Sequence, residues 1–188
     1  MAITVPRWIT PILGLFAWLV VIPLVHFGIP WALSMLAPRY GWAEGRPGTF
    51  NLVGLIPLAA GAMCLFWVMV VGLAQTHKLP EGIKLDWSPK LLVMNGPYAF
   101  SRNPMYVAEA MLWFGCAIFF GSISVLIGLV ILCVAVNVLV RHEEPALGAE
   151  FGETYLRYKA TVPRWLGKRL PNATLNPAAG APAEGDGR

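Results

Sequence analysis

The chain has 188 residues, of which 57% are hydrophobic and 13% are charged, and its net charge is +4. Soluble domains are about half apolar and about a quarter charged, so this composition argues against a soluble domain and predicts an all-α integral membrane helical bundle. No basic stripe interleaved with exposed aromatic residues occurs outside the apolar runs, so we expect no nucleic-acid partner.

The N-terminal half contains two apolar runs long enough to cross a bilayer as helices, which takes about 20 residues. The first covers roughly residues 9–36 and lacks a small-residue cleavage site, so we expect a retained span rather than a signal peptide. A polar loop with Gly and Pro separates it from the second run, at roughly residues 51–75. The segment 76–103 is polar and basic with three prolines, which predicts a structured surface segment.

The apolar stretch at residues 104–140 is too long for one span. A straight helix of that length would be about 55 Å long, nearly twice the thickness of the hydrocarbon core. Gly121 and Ser122 provide the small polar break in it. We therefore predict a tight helical hairpin of spans 104–120 and 122–140, which brings the total to four spans.

A polar C-terminal region follows the last predicted span. Pro145 suits the first turn of a new helix with Glu144 as its cap. Apolar residues then recur at helical spacing, at Leu147, Phe151, Tyr155 and Tyr158. The opposite face carries Glu150, Glu153, Arg157 and Lys159, and Glu153 can pair with Arg157 four residues later. This pattern predicts an amphipathic helix that covers the bundle or, alternatively, serves only as a surface anchor.

The distribution of basic residues predicts the orientation. With four spans, the N-terminus, the 76–103 segment and the C-terminal region share one side and hold twelve Lys and Arg, against two in the 37–50 loop. The excess marks the cytoplasmic side. We therefore predict a single domain of residues 1–170 in the cytoplasmic membrane of a bacterium-like cell, with cytoplasmic termini. The Pro- and Gly-rich tail at residues 171–188 is predicted to be disordered.

Three groups of residues are candidates for chemistry. Glu109 is a carboxylate inside an apolar helix, which indicates a functional site or, alternatively, an interfacial anion favoured by the helix dipole. Arg141 and Glu144 follow Asn137 at spacings of four and three, so the three would share a helix face, although an interfacial collar of charges would look the same. Tyr98, between two proline turns, could line an adenine ring or anchor the chain at the interface.

Several kinds of site are not indicated. The three cysteines lie in apolar runs without metal-ligand spacing, so we expect no metal. There is also no glycine-rich loop after a strand, and no βαβ repeat outside the spans, which excludes a soluble nucleotide-binding domain of the Rossmann type.

The motifs "GPYAFSRNPMYVAE" and "RHEEPALGAEFGETYLRYKATVPRW", separated by an apolar hairpin, resemble a family of membrane methyltransferases. This family contains isoprenylcysteine carboxyl methyltransferases and phospholipid methyltransferases, and the resemblance covers residues 90–166. It implies an S-adenosylmethionine (SAM) site formed by the last two spans and the C-terminal helix. It also implies a lipophilic acceptor that reaches the site from the bilayer.

The resemblance assigns roles to individual residues of this chain. Expected cofactor-binding residues are Tyr98, Arg102, Asn103, Pro104, Tyr106, Glu143 and Glu144. The expected catalytic residues are Glu144, which falls on the acidic pair of the family, and Arg141 and Glu109, which the residue pattern singles out. The expected substrate-binding residues are Tyr155 and Tyr158, which fall on the closing motif. The family has a histidine where this chain has Asn103, and an asparagine cannot titrate near neutral pH. A proton-transfer role at that position is therefore not expected.

The leading hypothesis is SAM-dependent methyl transfer to a lipophilic acceptor, either a phospholipid amine or an isoprenoid or other lipophilic carboxylate. A carboxylate acceptor needs no base, whereas an amine must lose a proton, which Glu144 or Glu109 could take. The alternatives are an NADPH-dependent membrane reductase of the sterol-reductase type and a non-catalytic membrane partner protein. Membrane lipids are expected neighbours, and the sequence specifies no oligomeric state.

Overall fold

A computed structural model describes the greater part of the chain, and the described part is mostly helical. The described residues are 3–5, 9, 12, 16–76, 83–85 and 91–167. The tail predicted to be disordered, residues 171–188, lies outside them.

The first apolar run is helical over its described part, but it is not one regular α-helix. Wide π-helical turns at Ala17–Val21 and Leu24–Gly28 precede a short α-helix, α1, at Ile29–Ser34. Pro23 stands directly before the second set of turns, and Pro30 is the second residue of α1. Because proline has no N–H group, each of these residues interrupts the regular helical hydrogen bonds.

Two short antiparallel strand pairs depart from the all-α prediction. Strand β1 at Ile3–Val5 pairs with β4 at Ile83–Leu85, which brings the N-terminus against the segment that follows the second apolar run. Strands β2 at Trp42–Ala43 and β3 at Arg46–Pro47 form a hairpin in the first loop. Its turn residues, Glu44 and Gly45, have positive φ angles of 50° and 74°, the conformation that two-residue hairpin turns require.

The second apolar run forms α2 at Thr49–Leu52 and α3 at Leu55–Thr76, close to the predicted span. Helix α3 packs most extensively against α4, at Pro104–Phe120, which has the predicted bounds. Small residues allow the two backbones to approach closely. A Cβ atom on Gly61, for example, would lie 2.9 Å from the carbonyl oxygen of Ala108. Such contacts are typical of helix pairs in membranes.

The predicted hairpin break between the last two apolar helices is confirmed. Helix α4 ends at Gly121, whose φ of 57° favours glycine, and the Ser122 side chain accepts a hydrogen bond from the Val125 amide to cap the next helix. The Tyr40 amide donates to the Gly121 carbonyl over 2.9 Å. A Cβ atom at residue 121 would also overlap the Tyr40 carbonyl, so only glycine fits there.

Helix α5 runs from Ile123 to Thr161, so the predicted restart of a new helix at Pro145 is wrong. Pro145 lies inside the helix, and Glu144 is therefore not a helix cap. A proline removes one hydrogen-bond donor and crowds the carbonyl four residues earlier, which can kink a helix without ending it, whereas glycine can adopt backbone angles that end a helical turn. The non-helical residue in α5 is Gly152, with φ 50° and ψ −132°.

The predicted apolar stripe of the C-terminal region is confirmed. Tyr155, Tyr158 and Val162 form a buried cluster, and Leu147 and Phe151 pack against it. Glu153 and Arg157 on the outer face form the predicted ion pair, at 3.9 Å. The main core of the helical bundle lies instead between α4 and α5, around Trp113, Phe120, Val125 and Leu129.

Two helical segments are long and apolar enough to cross a membrane, at residues 49–75 and within α5. In α5 the apolar part ends before Arg141, and the polar remainder extends beyond it. Most side chains of both segments face outward, as lipid contact requires. Shorter apolar helices occupy Leu19–Ser34 and Pro104–Phe120, and the count of four spans stays a prediction.

Candidate functional site

The polar loop before α4 is bound to the chain that follows α5. The Arg102 amide donates to the Pro163 carbonyl over 2.9 Å, and its Nε donates to the Val162 carbonyl over 3.1 Å. The Asn103 side chain donates to the Arg164 carbonyl over 3.1 Å. Residues about 60 positions apart in the sequence therefore form one polar surface at the ends of α4 and α5.

Glu144 is the centre of an ion cluster on this surface. Its carboxylate lies 2.7 Å from Arg102 Nη1, 2.8 Å from Arg164 Nη2 and 3.2 Å from Lys159 Nζ. The side chains of Glu144 and Arg102 are only 7% and 9% exposed, whereas those of Arg164 and Lys159 reach solvent. Three cations against one anion leave the cluster with a net positive charge of two.

The cluster controls the protonation of Glu144. Burial by itself would raise the pKa of this carboxyl group, but hydrogen bonds from Arg164 and Lys159 and the adjacent Arg102 charge lower the pKa to about 2. Glu144 is therefore ionised throughout the physiological range. A carboxylate of such low basicity is a poor proton acceptor at neutral pH.

A small cavity of about 150 Å³ lies beside the ion cluster. Its polar and aromatic lining residues are Tyr98, Arg102, Asn103, Glu143, Glu144, Tyr155 and Tyr158. Apolar side chains of Leu91, Leu92, Val93, Val140 and Leu147 complete the wall. Among its acidic residues, Glu143 makes no hydrogen bond or ion pair with another described residue, and partial burial raises the pKa of its carboxyl group.

The tyrosines of this small cavity are neutral and hold the loop to α5. The Tyr158 hydroxyl donates to the Tyr98 carbonyl over 2.7 Å, and the Tyr155 hydroxyl accepts from Arg102 Nη1 over 3.3 Å. Burial raises the pKa of all three phenols. They consequently offer uncharged aromatic faces and hydroxyl groups to a ligand.

A second, larger cavity of about 580 Å³ lies between α4 and α5. Apolar side chains make up most of its wall, at Val107, Ala110, Met111, Phe114, Leu129, Leu132, Cys133 and Val136, with Trp165 and Leu166 from the C-terminal segment. Its polar members are Tyr106, Glu109 and Asn137. Glu109 Oε1 lies 3.6 Å from His26 Nε2, so the carboxylate has a cationic partner when the histidine is protonated.

The two cavities follow one another along the same pair of helices. Asn103 at the small cavity and Tyr106 at the large one are one helical turn apart, as are Val140 and Asn137 on α5. The Tyr106 phenol is near enough to both Glu143 and Glu109 to interact with their charges. A polar site and an apolar site thus adjoin at the boundary between the membrane-crossing part of α5 and its polar extension.

The structure divides the predicted site residues between these two places. The small cavity holds Tyr98, Arg102, Asn103, Glu143, Glu144, Tyr155 and Tyr158, and Tyr106 and Glu109 line the large one. Pro104 is buried at the start of α4 and lines neither. Arg141 is exposed and also lines neither cavity, so it does not meet Glu144 as the helical spacing predicted. Asn137 likewise separates from Glu144, since it faces the large cavity.

Sequence reasoning missed three charged or ionisable residues of these sites. Arg164 follows the end of α5, where helical periodicity carries no information, although its position directly after the Val-Pro pair was a signal. Lys159 was assigned only to the outer face, yet its long side chain returns to Glu144. His26 is an ionisable residue within an apolar run, the same feature that singled out Glu109.

Comparison with known proteins identifies the family. The model of the phospholipid methyltransferase family matches residues 50–154, which is more than half of the chain and includes α3, α4 and most of α5. No curated protein and no solved structure matches the chain. The matched range contains the acidic pair at residues 143 and 144 and most of the walls of both cavities. This chain therefore belongs to the phospholipid methyltransferase family, and it is a membrane protein.

Proposed function

We propose that this protein transfers a methyl group from SAM to an amine of a lipophilic acceptor, of the phospholipid-amine class, at the membrane surface. The observation that carries the proposal is the pair of adjoining cavities, one polar and aromatic and one apolar, in a chain of this family. The polar cavity suits a charged cofactor, and the apolar cavity suits the lipophilic part of an acceptor.

The residues of the small cavity match the chemical groups of SAM. Glu143 is the uncommitted carboxylate there and would meet the ammonium group or the ribose hydroxyls of the cofactor. The ion cluster around Glu144 has two excess positive charges, which attract the cofactor carboxylate. Tyr98 and Tyr158 supply aromatic faces for the adenine ring and the sulfonium cation.

Cofactor binding requires the small cavity to widen. Its volume of about 150 Å³ is below the roughly 300–1,000 Å³ of pockets that enclose drug-sized ligands. A hydrogen bond from Tyr158 to the Tyr98 carbonyl joins two residues of its lining. We propose that this bond opens when the cofactor enters, so that the loop and the C-terminal part of α5 move apart.

The residues have separate tasks in the proposed reaction. Bound SAM supplies an electrophilic methyl group, and the chain aligns the acceptor with it and excludes water. Glu144 organises the cationic cluster, because its low pKa makes it a poor base. Glu109, in the acceptor cavity, attracts an ammonium group and repels a carboxylate, which favours an amine acceptor over a lipophilic carboxylate.

The same proposal includes the membrane arrangement. The two shorter apolar helices would cross the bilayer with the two longer segments, which makes four spans. The pairing of β1 with β4 supports a common side for the N-terminus and the segment after α3. The excess of basic residues on that side supports a cytoplasmic location for it, and the membrane would be a bacterial inner membrane.

Two measurements test the proposed function. Thermal unfolding of the purified protein in detergent should be shifted upward by SAM and by S-adenosylhomocysteine, but not by NADPH, because only a ligand of the folded state stabilises it. Labelled methyl groups from SAM should also appear in the amine phospholipids of a membrane lipid extract. Stabilisation by NADPH alone would establish the reductase alternative. No stabilisation by any of the three compounds, together with no labelled lipid, would favour a non-catalytic partner protein.

A further inference from the structure

Glu109, which lines the large cavity, forms a pair with His26 of the first apolar run, and the tautomer of this histidine is defined. His26 Nδ1 lies 2.9 Å from the Ile22 carbonyl oxygen, and Nε2 lies 3.6 Å from Glu109 Oε1. A carbonyl oxygen only accepts hydrogen bonds, so Nδ1 must carry a hydrogen atom. Nε2 is therefore the nitrogen that gains or loses a proton, and it faces the carboxylate.

This pair is held in place on both sides. The side chains of His26 and Glu109 are only 11% and 20% exposed. The Cys116 thiol contacts the His26 carbonyl at 3.5 Å, which connects the first apolar run to α4. An isolated charge is costly in apolar surroundings, whereas an imidazolium beside a carboxylate is neutral as a pair. The arrangement therefore favours the binding of one proton between the two groups.

We infer that His26 and Glu109 form a dyad that removes the proton from the acceptor ammonium group before methyl transfer. The inference rests on the proposed function and deepens it. Glu109 pairs with the ammonium group and receives a proton from it, and His26 Nε2 takes that proton over. The electron pair of the broken N–H bond stays on the acceptor nitrogen and forms the new N–C bond. The electron pair of the broken C–S bond remains on the sulfur of the cofactor.

The dyad is better placed than Glu144 to take a proton from the acceptor. Glu109 lines the apolar cavity where the acceptor would lie, and Glu144 is occupied by three cations at the other cavity. His26 lies outside the residues that match the family, so the dyad is a property of this chain's own first apolar run. The inference thus adds a residue that the family comparison does not cover.

Few other ionisable groups surround the dyad. In the described structure they are Tyr106 and Cys133 on the cavity wall, Cys116 at the His26 carbonyl and Glu143 beyond the Tyr106 phenol. A phenol and a thiol ordinarily lose their protons well above pH 7, so neither accounts for a base that works at neutral pH. Glu143 lines the other cavity.

The first test measures rates against pH for Glu109→Gln and His26→Gln, with SAM and an ethanolamine phospholipid in mixed micelles. At pH 7 we expect kcat to fall about 100-fold or more for Glu109→Gln and about 10-fold for His26→Gln, since a general base contributes roughly 10²–10⁴-fold. The Kd for SAM should stay within about twofold of the wild-type value. Above about pH 9 both variants should recover, because the ammonium group of the unbound acceptor then begins to lose its proton to the solvent.

Matched control substitutions are available at exposed positions. Glu150→Gln and His142→Gln make the same chemical changes on the outer part of α5 and should behave as the wild type does. Unchanged kcat in Glu109→Gln, or a loss that high pH does not restore, would overturn the dyad. If the two residues have only a structural role, kcat should fall in the variants and should not recover at high pH.

The second test needs neither cofactor nor acceptor. The chain has three histidines, so ¹⁵N-histidine spectra of the protein in micelles can be assigned with His26→Gln. We expect Nδ1 of His26 to stay protonated while Nε2 titrates, and the midpoint to move by at least about half a pH unit in Glu109→Gln. Titration at Nδ1, or the same midpoint in both proteins, would contradict the inference.

The two proposals fail in different ways. A wild-type protein that does not bind SAM defeats the proposed function. Methyl transfer only to carboxylate or thiol acceptors would overturn both the amine acceptor of the proposed function and the dyad. If amine methylation is intact and both dyad variants behave as the wild type does at every pH, the dyad is wrong and the proposed function stands.

Discussion

Replacement of Glu144 with glutamine removes the anion that holds three cations together. The expected loss in the free energy of unfolding follows from two separate arguments. A pKa lowered from 4.5 to about 2 corresponds to about 3 kcal/mol of stabilisation of the ionised form, since a tenfold change in proton affinity is about 1.4 kcal/mol. Breaking a buried ion pair typically costs about 3–5 kcal/mol, and here the stranded charge is mainly Arg102, because Lys159 and Arg164 can turn to solvent. We expect a loss of about 3 kcal/mol in the free energy of unfolding.

The assay is reversible unfolding in mixed micelles at several pH values. Because the folded-state pKa of Glu144 lies below its unfolded value, its stabilisation is complete above about pH 4.5 and disappears as the pH falls towards 2. Wild-type stability should therefore drop by about 2 kcal/mol between pH 7 and pH 3 through this group. The Glu144→Gln variant should lack that component, and Glu150→Gln, at an exposed position, should retain it.

A double-mutant cycle separates the ion pair from other effects. Arg102→Met alone should also be destabilising, and the double variant should lose clearly less than the sum of the two single losses, since neither charge is then left unpaired. A loss below about 1 kcal/mol for Glu144→Gln, or strict additivity with Arg102→Met, would refute the reasoning.

Three further predictions concern other parts of the molecule. Glu143→Gln should weaken SAM binding about tenfold in calorimetry. The unfolding transition should stay in place, since this carboxylate has no ion-pair partner among the described residues. Unchanged affinity would show that Glu143 does not contact the cofactor. Gly121→Ala should destabilise the hairpin strongly and lower the Tm, because its Cβ would overlap a backbone carbonyl. The control Gly72→Ala, with open space around its Cβ, should keep the wild-type Tm or raise it. Equal Tm values for the two variants would count against the described turn. Tyr158→Phe should cost about 1 kcal/mol through the lost hydrogen bond to Tyr98 and should speed SAM association in stopped-flow measurements; a slower association would contradict the proposed opening of the small cavity.

Local features of the chain were predictable from the sequence. The apolar stretch at residues 104–140 had to fold back because it exceeds the bilayer thickness, and Gly121 was the residue able to turn it. The stripe that includes Tyr155 and Tyr158 followed from helical periodicity. These features depend on backbone freedom and on the spacing of apolar residues over a few turns, which the sequence contains directly.

The short strands were not predictable in the same way. Strand β1 has three residues and finds its partner about 80 positions later, so no local pattern indicates the pair. The β2–β3 hairpin has two residues in each strand, too few for an alternating pattern to stand out in a loop sequence.

The sequence alone determined the membrane class, the hairpin and the two motifs that meet at the ends of α4 and α5. Only the tertiary structure decided that the expected single pocket is two cavities, that Arg164 rather than Arg141 binds Glu144, and that His26 faces Glu109. The physical reason is distance along the chain. An ion pair between residues 20 or 83 positions apart depends on how helices pack and on where a segment turns after a helix ends. Neither can be predicted from the spacing of residues along the chain.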